Sequence, residues 1–298
     1  MRPVRIALTT GDPAGIGPEL VARLLADLTQ GLSPATLGSG ALPESRERDS
    51  RFIRQSPDHL GTPAAGPQPD IAVVTTVSEL QAGIERSGLA VDAAQLLAAP
   101  NVKLIEHDGA ECAVVGEASA AGGAWALRGL ELALAECKAG RADAVVFGPL
   151  NKSSLHLAGM SEPDELRWLE KACGSSAPVS EVNVGAAFWT ARVTSHVAFR
   201  AVADLITPEK VADACRLLAG LLRADGNPNP QIGVCALNPH AGESGRFGDE
   251  EQRRIAPGIE LARSQGVSVR GPYPADAIFR LGYDGEFDGI VTMYHDQG

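Results

Sequence analysis

The sequence predicts an α/β fold built on largely parallel sheets, and three observations carry that prediction. Short β-rich runs alternate with longer helical patterns along the 298 residues, the order expected of βαβ units. Apolar runs such as Asp143–Gly148 (DAVVFG) and Asp288–Tyr294 (DGIVTMY) are continuous rather than alternating, as in strands covered on both faces. The composition is 44% hydrophobic and 21% charged, ordinary for a globular chain long enough to bury a sizeable core without disulfides.

The elements follow in order. Val4–Thr10 is a strand and Pro18–Leu28 a helix; Ile71–Thr76 is a strand and Val77–Ser87 a helix; Val102–Glu106 is a strand. The Ala/Leu-rich stretch Ser119–Lys138 is a long helix, Ala144–Phe147 a buried strand and Asp164–Ala172 a helix. Val179–Val184 and Trp189–His196 are extended. Pro208–Arg223 is a helix, Gln231–Leu237 a strand, Asp249–Gln265 a helix, and Val267–Arg270 and Gly289–Tyr294 strands. Residues 31–70 break the pattern with five Gly and six Pro, which leaves little room for regular elements. Within them, 39–70 reads as an irregular surface insertion. The chain ends at Tyr294-His295-Asp296-Gln297-Gly298, directly after a buried-type strand, and the expectation there is a sequence cut short.

Charge and cysteine content narrow the function. Lys and Arg number 26 against 37 Asp and Glu, a net charge of −11, which disfavours nucleic-acid backbones and anionic membranes as partners. The five cysteines, Cys112, Cys137, Cys173, Cys215 and Cys235, form no CxxC pair, so neither a disulfide framework nor a Cys-rich metal site is expected. No signal peptide or membrane span is evident, and the default location is the cytoplasm.

Three features bear on chemistry. Gly11-Asp12-Pro13-Ala14-Gly15-Ile16-Gly17-Pro18 joins the first strand to the first helix. Its glycines permit close backbone approach, and a helix N-terminus favours anions; it is not the GxGxxG dinucleotide fingerprint. The residues alone suit a ligand-free turn as well as a binding loop. Asn151 and Lys152 follow a strand, where α/β proteins bind ligands, though a surface lysine is the simpler reading. Three of the six histidines, His196, His240 and His295, each end a predicted strand. Imidazole is a common ligand for catalytic cations, yet without a pattern in their short-range spacing three core or hydrogen-bonded histidines are the safer reading of the residues alone.

In combination these motifs are specific. The succession GDPAGIGPE, GPLNKSSLHLAG, TSHVAFR, LNPHAGESGRFGDEE, GPYPAD and YHDQG resembles the 4-hydroxythreonine-4-phosphate dehydrogenase family of pyridoxal 5′-phosphate (pyridoxine) biosynthesis, which is related to isocitrate and isopropylmalate dehydrogenases. The resemblance implies a two-domain fold with mostly parallel sheets and an interdomain cleft: a first domain at 1–148, a second at 149–270, and a return to the first at 271–298. It implies a homodimer with a metal site shared between subunits, and a divalent cation (Zn, Mg or Co) bound by His196, His240 and His295. It implies NAD or NADP as oxidant, with Gly11, Asp12, Gly15 and Gly17 in the cofactor loop. Lys152 and Asp296 become candidates for proton transfer and for orienting a metal-binding histidine, with Glu243 a second orienting acid. Asn151, Asp164 and Glu165 fall where the family contacts a small-molecule substrate.

The implied reaction oxidises the secondary alcohol of 4-phosphohydroxy-L-threonine, and the keto acid then loses CO₂. The sequence departs from the family where Pro163 and Asp164 replace a His-Thr pair. That change opens a sibling activity on a phosphorylated sugar acid or a cis-diol or hydroxy acid. The family's segment beyond YHDQG is absent, which raises a third reading, a metal-binding dimer without turnover.

Overall fold

In the computed structural model, residues 2–30, 68–109, 114–174 and 179–298 are described. The irregular stretch expected at 39–70 lies outside them up to residue 67, and so does Cys112. The chain divides into two compact units, Met1–Gly174 and Ser175–Gly298.

The first unit is a parallel sheet of β1 (Arg5–Thr9), β2 (Asp70–Thr75), β3 (Val102–Glu106) and β4 (Ala144–Phe147) in the order β3-β2-β1-β4. Alternate residues serve opposite faces. Leu8, Ile71 and Val73 pack with Val21, Leu25, Leu80, Ile84 and Leu96 of α1 (Gly17–Gln30), α2 (Val77–Ser87) and α3 (Ala93–Leu97). Ala7 and Val74 face Ala133 of α4 (Ala120–Lys138). The helices begin where side chains satisfy their first amides: Thr76 caps α2, Ser119 caps α4, and Asp92 with Gln95 forms a capping box on α3. Two further helices, α5 (Lys152–Leu157) and α6 (Glu165–Cys173), complete the unit. Leu155 and Met160 pack with Ala126 of α4, and Trp168 leans on them. This packing draws 149–174 into the first unit, so the division falls after Gly174 and not at the expected 148.

The second unit is a five-stranded sheet in the order β5-β6-β9-β7-β8, formed by β5 (Val182–Val184), β6 (Trp189–Arg192), β7 (Ile232–Cys235), β8 (Val269–Tyr273) and β9 (Gly289–Thr292). All pairs are parallel except β5 with β6. Since β9 lies at its centre, residues 271–298 belong to this unit and do not return to the first. A short helix, α7 (Val202–Leu205), follows β6. One face is covered by α8 (Pro208–Ala224) and α9 (Ala256–Ser264), whose Val211, Cys215, Leu218 and Ile259 meet Ile232, Val234 and Val291. The other is covered by α10 (Ala275–Tyr283), which supplies Ile278, and by the segment after it, which supplies Phe287; both pack with Cys235 and Ile290.

The helix expected over Asp249–Gln265 starts as a π-turn at Glu251–Ile255 before α9. The Ala256 amide reaches back to the Glu251 carbonyl, and Pro257 next to it has no amide with which to continue a regular ladder. Among the described residues, no helix is long and apolar enough to cross a membrane.

Candidate metal centre

Parallel pairing of β6 with β9 runs from Trp189↔Gly289 to Arg192↔Thr292. The pairing continues past the strands, since the Val193 and Thr194 amides donate to the carbonyls of Thr292 and Met293 at 2.9 and 3.2 Å. The Thr194 hydroxyl adds a 2.8 Å bond to Met293 O. Extending that register sets His196 level with Asp296, one residue from His295; the chain turns at His196 (φ 52°), and the two imidazole ring centroids are 5.4 Å apart.

The antiparallel strand β5 starts at the same sheet edge. Val182 pairs with Ala191, which sets Glu181 opposite Arg192, and the Arg192 guanidinium donates from Nη1 to Glu181 Oε2 at 2.6 Å. One ligand atom each from Glu181, His196 and His295 lies within 4.8 Å of the others. Both histidines are exposed, and the three ligand atoms lie close enough together for one cation to engage them. Two imidazoles and a carboxylate suit a divalent first-row metal.

Neighbouring groups fix these donors. His295 Nδ1 and Asp296 Oδ1 are 2.7 Å apart; with the proton on Nδ1 donated to Asp296, Nε2 is left with its lone pair outward. The turn holding both residues is tied down by Gln297. Its Oε1 accepts from the Met293 amide at 2.7 Å, and its Nε2 donates to the Ala236 carbonyl at 2.7 Å, linking the ends of β9 and β7.

His240 leaves the end of β7, the strand beside β9. All three sequence-predicted histidines therefore stand at the carboxyl edge of three adjacent parallel strands, the usual ligand-binding edge of such sheets. The structure brings His196 and His295 together, while His240 is not in the group of convergent donors. It begins a run of five left-handed residues, His240 to Ser244, with φ between 43° and 76°; Glu243 is one of them. A buried carboxylate holds the base of this run. Glu251 Oε1 accepts from the amides of Leu237 and Asn238 at 2.9 and 2.7 Å, and its Oε2 accepts from Asn238 Nδ2 at 3.0 Å. The Asn238 amide group also donates to Glu250 Oε2 at 2.6 Å, and this bond is the main cause of the lowered Glu250 pKa.

The remaining predicted site residues lie in the first unit. Asp12 is buried. Its Oδ1 accepts from the Ala14 amide at 2.9 Å and its Oδ2 from the Ser154 hydroxyl at 3.2 Å, while its own amide donates to Pro149 O at 2.9 Å. These bonds knit the GDPAG and GPLNKS motifs together. Packing also accounts for two glycines: a Cβ on Gly11, at φ +74°, would lie 2.5 Å from Gly148 O, and one on Gly17 would lie 1.8 Å from Thr10 O. Gly15 is exposed. Asn151 Oδ1 caps α5 by accepting from the Ser154 amide at 3.1 Å, and Lys152 is the exposed first residue of that helix. Asp164, also buried, caps α6 by accepting from the Arg167 amide at 2.9 Å. Glu165, next to it, has a buried Oε2 with no hydrogen-bond partner.

Sequence reasoning missed Glu181, Arg192, Glu251 and Gln297. Only the first pair left a trace, an acid and a base placed to face each other across a short hairpin.

Residues 68–298 match the family model described as "Pyridoxal phosphate biosynthetic protein PdxA". A Pseudomonas aeruginosa protein named "Putative 4-hydroxythreonine-4-phosphate dehydrogenase 2" is 42% identical over 99% of this chain and 80% of its own length. The D-threonate 4-phosphate dehydrogenase of Salmonella typhimurium is 33% identical over 98% of this chain and 81% of its own. Among solved structures, a 4-hydroxythreonine-4-phosphate dehydrogenase from Burkholderia phymatum superposes with a TM-score of 0.74 at 27% identity, covering 100% of this chain and 82% of that one. A family match over most of the chain, relatives above 30% identity along nearly its full length, and the same fold place the protein in the PdxA family.

Proposed function

We propose that the chain is a divalent-metal-dependent NAD(P) dehydrogenase that oxidises the secondary alcohol of a phosphorylated hydroxy acid, with 4-phosphohydroxy-L-threonine the first candidate and loss of CO₂ from the keto acid to follow. The observation that carries this reading is the convergence of His196 and His295 with a carboxylate at the carboxyl edge of a parallel sheet. A cation bound there supplies Lewis acidity to a substrate hydroxyl, and NAD(P) supplies the hydride acceptor. The chain's own residues do the positioning. His196 and His295 hold the cation, and His240 joins them as third imidazole in a homodimer whose subunits share the site. Asp296 keeps the proton of His295 on Nδ1. Lys152, at the exposed start of α5, is the candidate for substrate contact or proton transfer. Exposed Val197 and Phe199, which directly follow His196, support an apolar subunit contact beside the metal donors.

The nucleotide assignment draws its support from family membership. Gly11, Asp12 and Gly17 are explained by packing inside the first unit, so of these four candidates Gly15 is the one left facing solvent. Asn151, Asp164 and Glu165 are the proposed substrate contacts. Since Asp164 spends an oxygen on the α6 cap, its carboxylate is partly neutralised by the helix terminus, and the penalty it sets against a phosphorylated substrate is reduced. A second substrate, D-threonate 4-phosphate, is favoured by the name of the Salmonella typhimurium relative.

The test is NADH or NADPH formation by the chelator-treated protein with and without added Zn²⁺, Mg²⁺ or Co²⁺. The compounds supplied are 4-phosphohydroxy-L-threonine, phosphorylated threonate and erythronate, and an unphosphorylated cis-diol acid. Metal-dependent turnover of a phosphorylated acid is expected. Turnover of the unphosphorylated acid alone would overturn the substrate class. Silence on all of them by a folded protein that binds metal would favour the dimer without turnover.

A further inference from the structure

We infer that Glu181 is an oxygen donor to the cation at His196 and His295, and that Arg192 is the residue that positions its carboxylate. The inference rests on the metal reading above and adds a donor that the histidine motifs do not contain.

The local geometry separates this role from that of an ordinary ion pair. The Arg192 side chain is only 8% exposed while that of Glu181 is 34% exposed. A buried guanidinium needs a partner, and the pair could have closed as a two-pronged fork. It does not: Nη1 alone reaches the carboxylate, and Arg192 Nε is buried without any partner. The Ser195 hydroxyl donates to the same oxygen, Oε2, at 3.4 Å. Among the described residues both hydrogen bonds to the Glu181 carboxylate thus end on Oε2, and Oε1 receives none. A carboxylate anchored through one oxygen and open at the other, with a ligand atom within 4.8 Å of those of two imidazoles, is arranged as a metal ligand held by an outer hydrogen bond.

Topology supplies the rest. β5 is the single antiparallel strand of its sheet and only three residues long. Its reversed direction is what delivers the residue before it to the edge where the parallel strands end. The negative charge also belongs there: between Arg192 and a divalent cation it separates two positive groups that would otherwise repel.

The experiment uses the full chain freed of metal by chelation. Zn²⁺ affinity is measured by competition with a chromophoric chelator, and Co²⁺ binding by its visible d–d absorption, for wild type, H196A and E181Q. H196A is expected to lose both signals. E181Q is expected to bind Zn²⁺ at least 10-fold more weakly and to shift the Co²⁺ band, because an oxygen donor has been replaced. An E181A/R192M variant removes both charges together, leaves no unpaired ion, and is expected to show the same loss; it serves if E181Q does not fold. Wild-type affinity and an unshifted Co²⁺ band in the Glu181 variants, with both signals lost in H196A, would overturn the Glu181 assignment alone. Undiminished binding in H196A would overturn the metal reading beneath it.

Discussion

Glu251→Gln isolates the contribution of one buried carboxylate to the base of the His240 turn. Glu251 is 4% exposed and accepts from two backbone amides, Leu237 and Asn238, and from the Asn238 side chain. Glutamine retains one acceptor oxygen for the two amides but no charge. Each amide bond then falls from the charge-assisted to the neutral range, a loss of about 1 kcal/mol apiece. The new NH₂ group would face Asn238 Nδ2, donor against donor. Asn238 keeps Glu250 as an acceptor, so this contact costs only about another 1 kcal/mol. The sum is about 3 kcal/mol, which for a unit the size of residues 175–298 is roughly 10 °C in Tm. The assay is a thermal melt followed by circular dichroism, with Glu250→Gln as control. Glu250 carries one bond to the same asparagine, and its loss is expected to cost about 1 kcal/mol or less. The reasoning is refuted if E251Q melts within about 3 °C of wild type, or if E250Q is as damaging as E251Q.

Two further outcomes follow from the titratable groups. The Arg128 guanidinium, through its hydrogen bonds, holds the Asp108 carboxyl at about 2 against an ordinary 3.8. Because the folded value is the lower one, the pair's contribution is complete above about pH 4 and is lost as pH falls through about 2; carboxyl NMR titration should place Asp108 there, and R128Q should return it toward 3.8. Burial pushes the Cys215 and Cys235 thiols up to about 12 whereas Cys173 is exposed. Iodoacetamide at pH 8 should therefore label Cys173 in the native protein and reach Cys215 and Cys235 only after denaturation; equal labelling rates would contradict the packing described for the second unit.

Much of the fold was legible because its signals are local. The continuous apolar run at 289–292 does become a strand buried in a largely parallel sheet, and Pro208 after Thr207 does open α8 with a threonine cap; the run at 144–147 forms the expected strand but at the sheet edge, where none of its residues is fully buried. What escaped depends on partners far away in sequence. No capping side chain announces α10: Pro274 stands at its start and bonds to no amide through a side chain. The domain boundary escaped for a related reason. Nothing local in 149–174 shows that Leu155 and Met160 will find Ala126 of α4. The direction of β5 is likewise invisible in three residues and is set only when Val182 meets Ala191.

The candidate site follows the same division between local and tertiary information. That His196, His240 and His295 each end a strand could be read directly, since it needs only the position of an apolar run. Which of them meet could not, because β7 and β8 intervene in sequence between β6 and β9, and only the crossover makes β6 and β9 neighbours. Once they are neighbours, the register offset of one hundred residues sets His196 level with Asp296, one residue from His295. His240 has the right strand end but an unforeseeable turn. In His-Ala-Gly-Glu-Ser a single glycine favours positive φ, yet all five residues adopt it, held at their base by Glu251 from a segment whose two adjacent glutamates look alike in sequence. Glu181 becomes identifiable only once the pairing of β5 with β6 is known, because the index that pairs 182 with 191 pairs 181 with 192, where opposite charges across strands are a favourable match. A sequence motif thus records the imidazoles, which are chosen for chemistry, whereas the carboxylate beside them is a consequence of strand direction, and strand direction emerges only in the folded sheet.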